Sequence, residues 1–213
     1  MNYELVATEL KQRAAALTTD EQLWIGLVGA PGSGKSTLAH ALQEPLGDML
    51  AIIPMDGFHY YRHELDQMAN PAEAYARRGA PFTFNAPKFV TTLIQARQAR
   101  EGTFPSFDHH IGDPIEEDIT LSQEQTIVLV EGNYLLLDEA PWTQLREQVF
   151  DETWFLDVPL EECNRRVKDR HMRTGLPAEE AQRRVDTNDS LNAQLVINVS
   201  RKNADRILTI EPS

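Results

Sequence analysis

The sequence lacks features that would each mark a particular class of protein. It has one cysteine, Cys163, in 213 residues, so no disulfide can form within the chain, which suits a reducing cytosol. No apolar run approaches the roughly 18 residues of a membrane helix. Met1-Asn2-Tyr3-Glu4 shows no basic stretch followed by an apolar one, so we expect no secretory signal. A cytoplasmic protein without a membrane partner is therefore expected, and Cys163, preceded by two glutamates, is interpreted as a packing residue rather than a nucleophile.

Positive charge is also scarce. Lys and Arg total 20 against 33 Asp and Glu, which gives a formal net charge of −13. Because a nucleic-acid binder needs a basic surface to displace counterions, we expect no nucleic-acid partner. The acidic balance does not exclude ATP, because a local cradle of backbone amides together with Mg²⁺ can bind phosphates.

Short apolar runs alternate with helical patterns along the whole chain. Strands are predicted at 23–28, 50–55, 126–130, 154–158 and 206–210. Helices are predicted at 3–17, 36–44 (ending before Pro45), 87–100, 160–173 and 178–200. Residues 56–84 are less regular, and 103–121 are interpreted as loops and short strands. This alternation predicts one α/β domain over residues 1–213, whose parallel sheet is covered on both faces and whose sites follow the carboxyl ends of strands.

The segment after the first strand matches the pattern G-x-x-x-x-G-K-[ST]. Its glycines permit backbone angles that turn N–H groups toward a phosphate, and the helix that follows presents its positive end to the same anion. Lys35 is expected to reach the β- and γ-phosphates, Ser36 to bind Mg²⁺, and Thr37 to lie near the α-phosphate. The predicted nucleotide-binding residues are Gly29, Ala30, Pro31, Gly32, Ser33, Gly34, Lys35, Ser36 and Thr37.

Two acidic residues follow the second and third predicted strands. Asp56 can orient an acceptor hydroxyl and take its proton, while the plainer interpretation is a turn-forming Asp before Gly57. Glu131 stands where a Walker B acid belongs and can hold Mg²⁺, directly or through water. The alternative is a surface glutamate at a strand end.

Four segments, taken in their order along the chain, resemble the motifs of a known family. They are the P-loop, Met55-Asp56-Gly57-Phe58-His59, Phe104-Pro105-Ser106-Phe107-Asp108 and Val130-Glu131-Gly132-Asn133-Tyr134. Together they resemble the phosphoribulokinase/uridine kinase family, which includes bacterial pantothenate kinases. The likeness covers roughly residues 22–210. Within the family, the sequence is most similar to a bacterial branch whose members are labelled fructose transport system kinases or nucleoside kinase-like proteins. The segments that carry this similarity are Arg78-Gly79-Ala80-Pro81-Phe82-Thr83-Phe84-Asn85, Asp113-Pro114, Glu131-Gly132-Asn133-Tyr134-Leu135-Leu136-Leu137-Asp138 and Asn188-Asp189.

The resemblance implies a P-loop NTPase three-layer sandwich with a five-stranded parallel sheet of order 2-3-1-4-5. It also implies a small Arg-bearing lid at about 163–178, an acceptor-binding segment at about 56–115, and Asp56 as the catalytic base beside Lys35. The implied activity is ATP-dependent transfer of the γ-phosphoryl group to a hydroxyl of a small molecule, with Mg²⁺. Family members are often dimers or tetramers, so the resemblance is compatible with a homodimer.

Arginines at helical spacing and a set of polar side chains extend this expectation. Arg166, Arg170 and Arg173 share one helix face and can neutralise a transferring phosphoryl group, although a solvated face paired with Glu162 and Asp169 is the alternative. Arg166 and Arg170 are the favoured pair. The candidate acceptor-binding residues are His59, Tyr60, Arg77, Arg78, Asp108 and His109, of which either arginine could clamp a carboxylate or phosphate.

The acceptor itself is left open between sugars, nucleosides and pantothenate-like acids. Uridine kinases place a base-contacting His a few residues after an aromatic-Asp pair, whereas His109 and His110 follow Asp108 at once here. Bacterial pantothenate kinases are usually longer and have a different P-loop, so sugars and polyols rank slightly first. The Asn-Lys-x-Asp motif of GTP-dependent switches is absent from this sequence, which argues against that function. A regulatory nucleotide-binding protein without transfer activity stays open, to be distinguished by acceptor-dependent ADP release.

Overall fold

A computed structural model describes residues 3–108 and 111–209. The helices are α1 (Tyr3–Ala15), α2 (Lys35–Leu46), α3 (Arg62–Leu65), α4 (Pro71–Ala76), α5 (Ala86–Ala99), α6 (Thr143–Gln148), α7 (Leu160–Arg173), α8 (Ala178–Arg184) and α9 (Ser190–Ser200). The strands are β1 (Leu23–Val28), β2 (Leu50–Pro54), β3 (Gly102–Asp108), β4 (Asp113–Leu121), β5 (Ile127–Gly132), β6 (Glu152–Asp157) and β7 (Arg206–Thr209). Among the described residues, no helix has the length and apolar character needed to cross a bilayer.

The central sheet is parallel and has the order β2-β5-β1-β6-β7. Counted among these five strands alone, in chain order, this is 2-3-1-4-5, so the order implied by the family resemblance is confirmed. The inner strands are buried on both faces. In β1, for example, Trp24 and Val28 pack into the core on one side of the sheet, while Ile25 and Leu27 pack into the core on the other.

Helices cover both faces of this sheet and complete a three-layer α/β fold. The core beside Trp24 includes Phe89 of α5 and Leu145 of α6. The opposite core joins α1 and α2 to Cys163 of α7. Cys163 is buried, as expected of a packing residue, and burial raises the pKa of its thiol.

Four features differ from the sequence expectation. Helix α2 does not stop before Pro45 but runs to Leu46, because a proline in the last turn removes one hydrogen bond and only one more residue follows. Residues 103–121 are a continuous antiparallel hairpin, β3–β4, whose register shifts at Pro105. The helix predicted at 178–200 contains a π-turn, Val185–Asp189, between α8 and α9. Helix α6 was not predicted.

The hairpin packs on the turn that follows β2. This turn is a 3₁₀ segment, Met55–Phe58, and a Cβ atom added at Gly57 would lie 1.9 Å from the backbone oxygen of Pro105. Since Pro105 belongs to β3, its backbone cannot retreat without disturbing the hairpin. The absence of a side chain at Gly57 thus fixes how closely the hairpin approaches Asp56.

The contact at Gly57 predicts that Gly57→Ala lowers the free energy of unfolding by about 2–3 kcal/mol, because the new methyl group overlaps a backbone carbonyl. Urea denaturation measures the loss. Gly102→Ala is the control, since its Cβ would meet side chains rather than backbone, the Ala96 methyl group at 3.2 Å and the Phe104 ring at 3.5 Å, and it should cost less than about 1 kcal/mol. Equal losses in the two variants would contradict the close approach.

Candidate active site

The P-loop connects β1 to α2 in the conformation that its glycines permit. Gly32 and Gly34 have φ angles of 82° and 97°, values at which other residues are strained. Gly34 is the N-cap of α2 and offers no side-chain cap, so the first N–H groups of the helix are left for another acceptor. A Cβ at Gly32 would lie 2.4 Å from the Cys163 backbone oxygen, so the loop packs directly against α7.

Lys35 is the buried cation of the site. Its side chain donates to the Gly29 oxygen at 2.9 Å, to the Ala30 oxygen at 3.2 Å and to Asn133 Oδ1 at 2.8 Å. Burial lowers the pKa of Lys35, and the carboxylates of Glu131 and Asp56 oppose that shift. The lysine is thus held in place by oxygens on both sides of the cleft.

A hydroxyl and a carboxylate meet beside the lysine. Ser36 donates to Glu131 Oε1 at 2.7 Å. Glu131 is the last residue but one of β5, and burial raises its pKa while Lys35 acts in the opposite direction. Hydroxyl and carboxylate oxygens are ligands that Mg²⁺ prefers, so this pair fits the metal role predicted for both residues. Ser33, which precedes Gly34 in the P-loop, is fully buried, and its hydroxyl has no hydrogen-bond partner among the described residues.

Asp56 lies at the end of the neighbouring strand. Its side chain has no hydrogen bond or ion pair with any residue in the described ranges, and it lines the same cavity as Lys35. Its backbone oxygen is 2.8 Å from His59 Nδ1. Since Pro54 pairs with Glu131 across β2 and β5, the two acidic residues leave adjacent strands at one edge of the sheet.

The arginines of α7 close the cavity from the opposite side. Arg166 bonds Glu162 at 2.7 Å and lies 3.3 Å from the Ser33 oxygen of the P-loop. Arg166 therefore pairs with Glu162 on its own helix and also lies at the site. Arg170 lines the cavity, and within residues 3–108 and 111–209 it forms no ion pair. It is the better placed of the two to meet an anion.

These groups surround one cavity of about 530 Å³. Its lining is Tyr3, Pro31, Gly32, Gly34, Lys35, Ser36, Thr37, Asp56, Glu131, Gly132, Asn133, Arg166, Val167, Arg170 and Arg173. The structure therefore brings together the predicted P-loop, base, metal and lid residues. Tyr3 and Asn133 were not predicted as site residues: helix packing brings Tyr3 to the site, and Asn133, although it lies in a segment that carries the family resemblance, was given no role there.

Several predicted acceptor-binding residues lie together beside Asp56. The His59 ring packs in tilted orientation against Phe84 and Phe107, with ring centroids 3.9 and 4.7 Å away. The Arg78 guanidinium lies 5.6 Å from the Phe107 centroid and donates to the Tyr60 oxygen at 3.1 Å. Burial lowers the pKa of Arg78, and nearby Asp113 opposes this.

Two other acceptor candidates have structural partners, and one cannot be placed. Asp108 Oδ1 accepts from the Ile111 amide at 3.2 Å, at the turn of the hairpin. Arg77 faces the π-turn, where it donates to Asn188 at 3.0 Å and to Asn192 at 3.3 Å. His109 lies outside the described residues.

The π-turn connects the segment around Arg77 and Arg78 to α7. Asn188 is buried, accepts from Arg77 and donates to the Arg78 backbone oxygen at 3.0 Å. The next residue, Asp189, lies 2.9 Å from His171 near the end of α7. One turn of helix therefore contacts both walls of the cleft.

A family model described as "Phosphoribulokinase / Uridine kinase family" matches residues 24–173. A Schizosaccharomyces pombe protein described as "Putative uridine kinase" is 44% identical over 198 residues, covering 88% of this chain and 84% of that protein.

Solved structures agree with the fold. That of a Silicibacter sp. TM1040 protein described as a "putative fructose transport system kinase" has a TM-score of 0.84 and 30% identity, covering 98% of this chain and 99% of that one. YFH7 of Saccharomyces cerevisiae has a TM-score of 0.82 with 20% identity over all of both chains, a likeness that shows the fold alone.

The π-turn contacts predict that Asn188→Ala lowers the free energy of unfolding by about 1–3 kcal/mol, because Arg77 and the Arg78 carbonyl each lose a bonding partner. Thermal or urea unfolding of the single variants and of the Asn188→Ala/Arg77→Ala double variant gives the coupling energy. Thr187→Ala, on the exposed side of the same turn, is the control and should change little. Strict additivity of Asn188 and Arg77 would argue against the contact.

Proposed function

The chain belongs to the phosphoribulokinase/uridine kinase family of P-loop kinases, and from that premise we propose that it transfers the γ-phosphoryl group of ATP to a hydroxyl of a small molecule, with Mg²⁺. One observation carries the proposal. The Asp56 carboxylate, which bonds no other described side chain, lines the same cavity as the P-loop lysine. A carboxylate in that position can receive the acceptor hydroxyl.

The site's own groups fit a nucleotide. The uncapped start of α2, the buried Lys35 ammonium and the glycine angles of the loop form a concave set of donors suited to phosphate oxygens. A side chain at Gly32 would collide with the backbone of α7, and one at Gly34 would strain the loop. Ser36 and Glu131 supply oxygen ligands for Mg²⁺, which, when bound, neutralises phosphate charge.

Each protein group then has a role in transfer. Asp56 orients the acceptor hydroxyl and takes its proton as the oxygen attacks. Lys35, Arg166 and Arg170 offset the negative charge carried by the phosphoryl group. Phosphoryl transfer needs chiefly positioning and charge neutralisation, so this set suffices without a covalent intermediate on the enzyme.

The acceptor is a small molecule with a hydroxyl group, and we place sugars and polyols slightly ahead of nucleosides and pantothenate-like acids. The names of relatives point to both uridine and a fructose transport system. His59, Phe107 and Arg78 pack together beside Asp56, and aromatic rings and a guanidinium are groups that can contact such a molecule. We place the reaction in the cytoplasm.

We expect Lys35→Ala to weaken ATP binding roughly 10- to 150-fold, because a charge-assisted hydrogen bond to phosphate contributes about 1.5–3 kcal/mol. Isothermal titration calorimetry measures the change. Lys168→Ala is the matched control, since that lysine of α7 borders a separate surface hollow. Unchanged affinity in Lys35→Ala would count against the cradle.

We expect Asp56→Asn to bind ATP normally and to lose roughly 100- to 10,000-fold in transfer, because an amide cannot accept the hydroxyl proton. The acceptor is found first, by measuring ADP release with nucleosides, sugars, sugar phosphates and vitamin precursors. Asp48→Asn, on the exposed 3₁₀ turn after α2, is the control.

Full turnover in Asp56→Asn would remove that residue from its role. A wild-type protein that binds ATP but releases no ADP with any acceptor in the panel would favour the regulatory alternative over a kinase.

A further inference from the structure

Asn133 has a contact that the proposed roles do not explain. It lies two residues beyond Glu131, lines the cavity and accepts a 2.8 Å hydrogen bond from Lys35 through Oδ1. The other two acceptors of Lys35, the Gly29 and Ala30 oxygens, belong to the P-loop backbone. Asn133 is thus the side chain that holds the lysine from across the cleft.

This bond fixes which way the amide group faces. An ammonium group has donors and no acceptor, so only the oxygen of the amide can face Lys35. The Asn133 nitrogen must then point elsewhere, and it has no hydrogen-bond partner among the residues that the structure describes. Because the residue lines the cavity, two N–H donors are available there, next to a buried cation.

The position of Asn133 determines which phosphate group of a bound nucleotide its side chain can contact. The P-loop lysine serves the β- and γ-phosphates, whereas the backbone amides of the loop surround the inner ones. Asn133 lies on the opposite side, at the strand edge that also carries Glu131 and Asp56. A phosphoryl group delivered to Asp56 must approach this edge, so the terminal phosphate is the one that Asn133 can contact.

We propose that Asn133 binds the terminal phosphoryl group of ATP: its amide oxygen holds Lys35, its amide nitrogen donates to that group, and the site thereby favours ATP over ADP. The inference rests on the proposed function, which requires a nucleotide in this cavity. Asparagine suits both tasks. Aspartate would pair with Lys35 but repel phosphate, and alanine could neither hold Lys35 nor donate to phosphate.

The test compares the affinities of two nucleotides. Calorimetry with Mg²⁺ and either the non-hydrolysable β,γ-imido analogue of ATP or ADP is applied to wild type, Asn133→Ala and Asn133→Asp. We expect Asn133→Ala to weaken the ATP analogue roughly tenfold or more, the effect of one hydrogen bond to a charged group, and ADP less than about threefold. Asn133→Asp should widen that difference, because a carboxylate repels the terminal phosphate.

Asn203→Ala is the matched control. Its side chain bonds the Leu136 oxygen at 3.0 Å and Asp138, away from the cavity, so neither affinity should change. Thermal unfolding shows whether each variant is folded.

Equal losses for the two nucleotides would overturn the inference and leave Asn133 a support for Lys35 only. Tighter binding of the ATP analogue by Asn133→Ala would overturn it as well, by showing that the amide competes with phosphate for the lysine. If wild type bound neither nucleotide, the proposed function would fail first, and this inference with it.

Discussion

The site depends on a lysine ammonium buried at the carboxyl edge of the sheet. Removing such a charge from water is costly unless oxygens surround it. The protein supplies two P-loop carbonyls, the Asn133 amide and, at longer range, the carboxylates of Glu131 and Asp56. These groups come from three different strand ends, so the charge of Lys35 can be compensated only when β1, β2 and β5 are correctly assembled.

The same requirement explains the balance of charge in the cavity. Glu131 and Asp56 are drawn toward Lys35, yet burial opposes the ionised form of Glu131. Arg166 and Arg170 approach from α7 on the other side. The result is a pocket with cations on the walls formed by the P-loop and α7 and carboxylates on its strand edge, an arrangement suited to a metal-bound polyphosphate.

The sequence was sufficient for those parts of the site that are encoded locally or by the topology of a parallel sheet. The P-loop could be found because its glycines and lysine are contiguous, and Asp56 and Glu131 because strand ends converge at one edge. Tyr3 could not be found, since only packing brings α1 to the cleft. The role of Asn133 could not be found either, because its motif does not show that its side chain bonds Lys35 across the cleft. Arg77 was expected at the acceptor, but its bonds go to Asn188 and Asn192, partners more than a hundred positions away in the chain. The helix end at Pro45 was misjudged because a proline in the last turn costs little.

The π-turn at 185–189 limits which insertions and deletions the protein can accept. Each residue advances a helix by about 100°, so losing or gaining one amino acid there would rotate everything downstream by that angle. Ala193 and Val196 would leave the two cores that they fill, and Asn192 would turn away from Arg77. Insertions and deletions of one residue should therefore be absent from this helix among homologues, whatever molecule each of them acts on.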